Sequence, residues 1–547
     1  RKLIHGIDAS GFGIRDLGLA WCSWTGEAGT SAPVVEQAIA EVVDGLLQKG
    51  VTPAQFEKVR RQSVVGMVNG QKNIHGLTSR VAHAATIGHD ISWPQRGVEH
   101  LAKLGAEDLT REARKWLRSD NVTFGTMRGG KADASAASAT ATVTPDRFET
   151  FTLDNGVRVV LQHDATIPKT GVGVFLAGGL AYEESEKRGT TGLLGTMFAR
   201  DNVHRTKEEV AHLVDSIGAT FADHGSQVSC GLWGEAISEL IADGILGPKI
   251  LPETFALERA AIITACREAE DDIVEKARLQ LQRQYFGAHP LAVDACGTPE
   301  TLAKIQPSDL SALHQSLVVA DNIVIGISGA FDRPTVMEFV NRRFGSLPKL
   351  SLSRLGLTKH VPSKASKVLE RAQGEQAVVA IAFPHCGFGP DEVVAANVTE
   401  ELLSGMASGL FRRVREEKGM AYFVGATRVE VVDQGMFYLY AGTAPASAQE
   451  VAKEMRLELD RLRKGKFAPN EIEDAKRRMR VSRRQGRQSA GARMQGALVR
   501  EVAGLGANFD AEWERRMNLT DEAAVQGFAQ RYLDAQFEQE LIVLPKE

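Results

Sequence analysis

Phe151-Thr152-Leu153-Asp154-Asn155-Gly156-Val157-Arg158-Val159-Val160-Leu161 reads as two short β-rich runs around an Asn-Gly turn. The runs flank Asp154-Asn155-Gly156, and an Asn-Gly turn between alternating runs is a strong hairpin signal, so this stretch predicts antiparallel pairing. Strand-like runs recur at Gly171–Leu176, Asn322–Ser328 and Ala377–Phe383. Helix signals lie between them. Thr206 and Glu209 form a capping box, Val210, Leu213, Val214 and Ile217 follow at helical spacing, and Gly218 is the expected stop. Strands in antiparallel order beside amphipathic helices predict an α+β fold of repeated lobes, each a mainly antiparallel sheet with helices packed on it.

The 547 residues predict three or four domains. Lys131 to Pro145 reads KADASAASATATVTP, too poor in apolar residues to offset the entropy of ordering. The expected organisation is therefore a segment 1–130, a linker 131–147, a segment 148–350, a connector 351–366 and a segment 367–547. The first and last segments repeat each other. A shift of 416 positions carries Ser31-Ala32 onto Ser447-Ala448 and Pro53 onto Pro469. Thr52 and Gln55 bracket Pro53 as a capping box with proline at the first helical position, where its missing N–H is not needed.

A formal net charge of -4 excludes a broad nucleic-acid footprint, and no apolar run is long enough to span a membrane. The five cysteines are scattered and contain no CxxC pair, so they read as small buried apolar residues. The chain opens Arg1-Lys2-Leu3, without Met or a signal peptide, and reads as starting inside a domain. Any export signal would then belong to an upstream part.

From Phe148 onward the landmarks come in a specific order. After the hairpin come GVGVFLAGG (171–179), Ala181-Tyr182-Glu183-Glu184 and Gly189-Thr190-Thr191-Gly192-Leu193-Leu194-Gly195-Thr196-Met197. Glu258-Arg259, His289-Pro290, Gly297-Thr298-Pro299-Glu300 and Phe344-Gly345-Ser346-Leu347-Pro348 follow. This ordered set resembles the pitrilysin/insulinase family of zinc metallopeptidases, over nearly the whole chain outside the linker. The resemblance implies clamshell-type lobes around a chamber that admits unfolded peptides. It also implies an inverted His-x-x-Glu-His motif on a helix of the active lobe. There two histidines one turn apart bind zinc, and the glutamate acts as base on zinc-bound water.

The matching positions in this chain hold Gly192, Gly195 and Thr196, and the expected second-helix ligand position holds Ala265. None can replace a His or Glu ligand set, so the resemblance places zinc in an upstream lobe and none in this chain. Histidines elsewhere offer no substitute. His204 and His212 have no Glu at metal spacing, His83 and His89 are six apart, and His385 and Cys386 are expected on opposite strand faces.

The last segment keeps a different signature. Arg415-Glu416-Glu417-Lys418-Gly419-Met420-Ala421-Tyr422 matches the Arg/Tyr pair that, in the family, contacts the scissile carbonyl and its developing oxyanion. The first segment has no Tyr seven residues after Arg1. The resemblance therefore implies a chain that supplies chamber wall and the Arg415/Tyr422 substrate clamp. Its partners would be an upstream catalytic lobe or an active subunit, and unfolded peptide. A non-catalytic scaffold is the alternative, and exported relatives suggest the periplasm.

Overall fold

The computed structural model describes the whole chain except residues 1–3, 5, 14–17, 26–29, 54, 58, 61–62, 64–73, 88–89, 119, 127–146, 166–168, 218, 220, 351, 353–356, 373–374, 406–407, 488 and 547. The linker 131–145, Gly218 and His89 thus lie outside the described residues. The chain divides into two compact units, Arg1–Val143 and Thr144–Glu547. No described helix is long and apolar enough to cross a membrane.

The first unit contains an antiparallel hairpin, β1 (Gly6–Gly13) and β2 (Gly18–Thr25). Helices Ala32–Lys49, Ile74–Thr86, Trp93–Lys103 and Ala106–Trp116 follow. The box at Thr52 forms in both directions: Thr52 N–H donates to Gln55 Oε1 at 3.0 Å, and Gln55 N–H donates to Thr52 Oγ1 at 3.3 Å. Val51 N–H donates to Thr110 Oγ1 at 2.9 Å, tying the end of the first helix to the last one.

The second unit is built on two sheets. The first has the order β3-β4-β8-β5-β7-β6, with β3 Glu149–Thr152, β4 Arg158–His163, β5 Thr170–Ala177, β6 Phe221–Gly225, β7 Ser229–Glu235 and β8 Ile323–Gly329. The second has the order β11-β12-β10-β13-β9, with β9 Ser366–Ala372, β10 Ala377–His385, β11 Ala421–Glu430, β12 Gly435–Thr443 and β13 Gln539–Pro545. Pairing is antiparallel except for β4–β8 and β9–β13. The hairpin forms as the sequence predicts: the loop Asp154-Asn155-Gly156 joins β3 and β4, closed by Leu153 N–H donating to Val157 O at 2.9 Å, and of its three residues only Gly156 takes a positive φ, at 106°.

Strand alternation sorts each sheet into two buried faces. In the first sheet Val159, Val172, Val174, Leu232 and Ile325 face the sheet's own helices. Val160, Phe175, Trp233 and Val324 face Met494, Ala497, Leu498 and Val502 instead. That cover is helix Ala490–Val502, which comes from the far end of the chain. Its approach is close. A Cβ on Gly326 would lie 2.6 Å from Met494 Sδ and 2.8 Å from Leu498, so only glycine fits the strand there. The second sheet is treated in the same way. Val379, Ile381 and Leu439 face its own helices, while Val378, Ala380 and Leu541 pack under Leu281, Tyr285 and Phe286. Those three belong to helix Ile273–Phe286, which precedes that sheet in sequence. Each sheet therefore borrows one helix from the other's stretch of chain. The connector 351–366 separates two sheets, and this exchange holds them in one compact unit.

The internal repeat extends over whole elements. The shift of 416 carries Ile74–Thr86 onto Ala490–Val502, Trp93–Lys103 onto Phe509–Leu519 and Ala106–Trp116 onto Glu522–Tyr532. In the hairpin the turn-closing pair Gly13–Gly18 matches Glu430–Gly435, a shift of 417. This register corrects the expected starting point in the first segment. Arg1 falls opposite Lys418 and position 5 opposite Tyr422, so Arg1 is not the counterpart of Arg415. Position 5 lies outside the described residues.

Candidate functional site

Helix Thr190–Phe198 carries three of the four expected metal positions. Its N-terminus is held by Glu183, a buried carboxylate that accepts from Thr191 N–H at 2.6 Å and Gly189 N–H at 3.0 Å. A negative charge there satisfies free backbone donors and complements the helix dipole. In the sequence, a Glu shortly before a Gly-Thr-Thr helix start is the capping signal for this role.

The metal positions do not fit zinc, and the space around them is filled. A Cβ on Gly192 would lie 3.2 Å from Ala295 O, and one on Gly195 would lie 3.1 Å from His224 O. Thr196 Oγ1 lies 3.3 Å from both Gly192 O and Asp223 Oδ2. Ala265 is exposed on helix Pro252–Asp271, and Glu258 is engaged by Arg200 at 2.6 Å. The imidazole of His224 turns away from this helix and stacks on Phe175, with ring centroids 4.4 Å apart. Burial pushes its pKa down, which keeps the ring neutral. Among the described residues no group of three His, Cys, Asp or Glu could hold a metal ion. His204 is exposed, 3.8 Å from Asp243 Oδ1.

Two expectations change with the geometry. Cys22 and Cys296 are exposed and Cys266 is partly so, leaving Cys230 and Cys386 as the buried pair expected of all five. His385 and Cys386 do not point to opposite faces. β10 ends at His385 and Gly387 turns at φ 84°, so both side chains join the core under the sheet's own helices.

The Arg415/Tyr422 stretch has the opposite character, being irregular and open. Ser408 Oγ accepts from Phe411 N–H at 3.0 Å and starts a helical turn that widens into a π-helix over Arg412–Glu417. Such wide turns are rare and concentrate at functional sites. Arg413 Nη2 donates to the buried Glu458 at 2.6 Å, and Lys418 Nζ to the buried Glu454 at 2.5 Å. Both carboxylates belong to helix Ala448–Arg463, so the turn is clamped at two points. Arg412 pairs with Glu417 at 3.5 Å. Arg415 alone of these four cations has no ion pair among the described residues. Its guanidinium lies over the Phe411 ring, 5.0 Å from the centroid.

Tyr422 stands at a β-bulge. Ala421 pairs with Thr443 and Phe423 with Gly442, leaving Tyr422 as the extra residue of edge strand β11. It is 42% exposed. A bulge re-aims one side chain out of the pleat, and bulges cluster beside active sites. Beyond it Phe423, Tyr440 and Tyr438 form a row with centroids 6.1 and 6.0 Å apart. The row leads to a cavity of about 250 Å³ lined by Val274, Glu275, Arg278, Thr427, Tyr438 and Tyr440. Nothing local in the sequence announces the π-turn or the bulge. Glu454 and Glu458, two acids among the apolar positions of one helix, were the available sign that cations lay opposite.

Residues 304–479 match the family model described as the peptidase M16 inactive domain. The chain is 26% identical over 343 residues to "Uncharacterized zinc protease YmxG" of Bacillus subtilis, covering 61% of this chain and 82% of that relative. It is 24% identical over 311 residues to "Uncharacterized zinc protease ML0855" of Mycobacterium leprae, covering 55% and 70%. In three dimensions it is similar to a protease from Helicobacter pylori, with a TM-score of 0.67 and 17% identity over 73% of this chain and 100% of the other. A peptidase M16 inactive domain from Pseudomonas fluorescens gives a TM-score of 0.66 and 18% identity over 73% and 99%. At that identity the structural matches speak for the fold alone.

Proposed function

We infer that this chain, whose fold and inactive domain are those of the M16 peptidases, is the non-catalytic portion of a zinc metallopeptidase, and that Arg415 and Tyr422 hold the peptide while an active lobe cuts it. The observation that carries this reading is the contrast among four neighbouring cations: Arg413 and Lys418 are clamped to buried carboxylates, Arg412 is in an exposed pair, and Arg415 has no ion pair among the described residues, seven positions before the re-aimed Tyr422. A guanidinium and a phenol aimed at the scissile carbonyl both donate hydrogen bonds to an oxygen that gains charge in the transition state. Their fixed positions stabilise that charge without reorganisation. The aromatic row and cavity beside them suit an extended, unfolded peptide, whose side chains would lie along Phe423 and Tyr440.

Zinc belongs to the partner lobe in this reading, since the residues at 192, 195, 196 and 265 cannot hold it. The first unit supports the existence of such a partner. It carries 13 of the 23 large hydrophobic residues exposed among the described residues, Trp21, Val81 and Leu109 included. Its helix Ile74–Thr86 repeats the helix that covers a neighbouring sheet in the second unit.

The test is peptide turnover by this chain assembled with an M16 catalytic lobe. Arg415→Ala should lower kcat on the order of 100-fold with a smaller change in KM, and Arg415→Lys should restore part of it. Unchanged turnover would remove the clamp and favour a scaffold that only completes the chamber.

A further inference from the structure

Two thiols meet beside the position where the metal ligands are missing. Cys266, next to Ala265 on helix Pro252–Asp271, has its Sγ 3.8 Å from that of Cys296. Both point toward one acceptor, Gly297 O, at 4.0 and 3.7 Å. Neither belongs to the peptide-contacting stretch, and both can be reached from solvent.

The backbone under each thiol is fixed. Cys266 sits inside a twenty-residue helix. Cys296 sits in a loop pressed against helix Thr190–Phe198, because a Cβ on Gly189 would lie 2.5 Å from Cys296 O and one on Gly297 would lie 2.2 Å from Arg188 O. Ala295 O, one residue earlier, fills the place of a side chain at Gly192. Bond formation needs the sulfurs to close from 3.8 Å to about 2.05 Å.

We propose that Cys266 and Cys296 form a reversible disulfide that ties helix Pro252–Asp271 to the loop covering helix Thr190–Phe198. The oxidant is a low-molecular-weight disulfide such as glutathione disulfide. The Cys266 thiolate attacks one of its sulfurs and expels one glutathione thiolate. The Cys296 thiolate then attacks the mixed disulfide at the Cys266 sulfur and expels the second. The protein loses two protons and two electrons, and two glutathione thiols carry them away. The hydrogen bond shared by the two sulfurs holds the Cys266 pKa down and pushes that of Cys296 up, so Cys266 is the expected attacker.

Peptide mapping of the full chain tests this. After equilibration with glutathione disulfide, alkylation and digestion with trypsin without reductant, Ala260–Arg267 should appear joined to Gln284–Lys304. The exposed Cys22 serves as the control for glutathione uptake. Recovery of Cys266 and Cys296 alkylated, or each with its own glutathione, while Cys22 is modified would overturn the proposal. Thiols that resist alkylation until a chelator is added would overturn it in favour of a bound thiophilic metal. Oxidation should also slow hydrogen exchange in Thr190–Phe198, and Cys296→Ser should abolish that slowing. Cross-linking with unchanged exchange there would overturn the tie to the helix.

Discussion

Leu109 and Val525 occupy the same position in two copies of one helix, yet Leu109 is 41% exposed and Val525 is 0% exposed. The same holds two helices earlier, where Val81 is 43% exposed and its counterpart Ala497 is fully buried. The helices themselves begin and end in register. What differs is the surroundings. The later copy lies among the five strands of its own sheet and lends one helix to a neighbouring sheet, whereas the earlier copy has a two-stranded hairpin. Helix limits follow from local sequence. Burial follows from which other parts of a fold are at hand.

Substitutions at paired positions can break this comparison. The largest effect is expected at the borrowed helix. Leu498→Ala should destabilise the second unit by about 2–5 kcal/mol in denaturant unfolding, since it opens a cavity between Met494, Gly326 and Gly173. Leu109→Ala should change stability by less than about 0.5 kcal/mol in this chain, and by more once a partner lobe covers it. Equal costs for the two would mean that the first unit has its own closed core.

Acid sensitivity should also fall on one side of the comparison. His385 lies on β10, a strand with no counterpart among the described residues of the first unit. Burial, with a smaller contribution from Arg428, depresses its pKa from 6.5 to about 3. Between those values the unfolded chain binds a proton that the folded chain does not, so stability falls as pH drops from 6.5 toward 3. The slope is up to about 1.4 kcal/mol per pH unit. Replacement by Gln should flatten unfolding free energies measured across this window in the second unit, and leave the first unit's pH dependence as it was. An unchanged slope would place the acid-sensitive group elsewhere.

The smallest effect concerns the caps. Thr52 caps its helix with both halves of a box, while its counterpart Ala468 keeps one half, the N–H donated to Glu471 at 2.8 Å. Thr52→Ala should cost about 1 kcal/mol in thermal unfolding of the first unit.

Much of the scaffold was legible because it rests on local rules. The Asn155-Gly156 turn, the boxes at Thr52 and Thr206, and the alternating runs that became β4, β5, β8 and β10 each carry their instruction within a few residues. The borrowed helices were not legible. Helix Ile273–Phe286 is amphipathic, and nothing in it states whose sheet it will cover. Arg415 and Tyr422 were legible only as a spaced pair. Their exposure depends on a π-turn and a bulge that are set by Glu454, Glu458 and the pairing of β12. The meeting of Cys266 and Cys296 was invisible for the same reason, since it is made by two elements pressed against a third.

The borrowed helix has a consequence for how the protein is made. Ribosomes add roughly 5–20 residues per second, so about 10–35 s pass between emergence of Gly329, which finishes the first sheet, and of Val502, which ends its cover. Throughout that interval Phe175, Trp233 and Val324 wait on an uncovered face of the nascent chain. Synthesis, rather than the finished molecule, is when this protein most needs a chaperone.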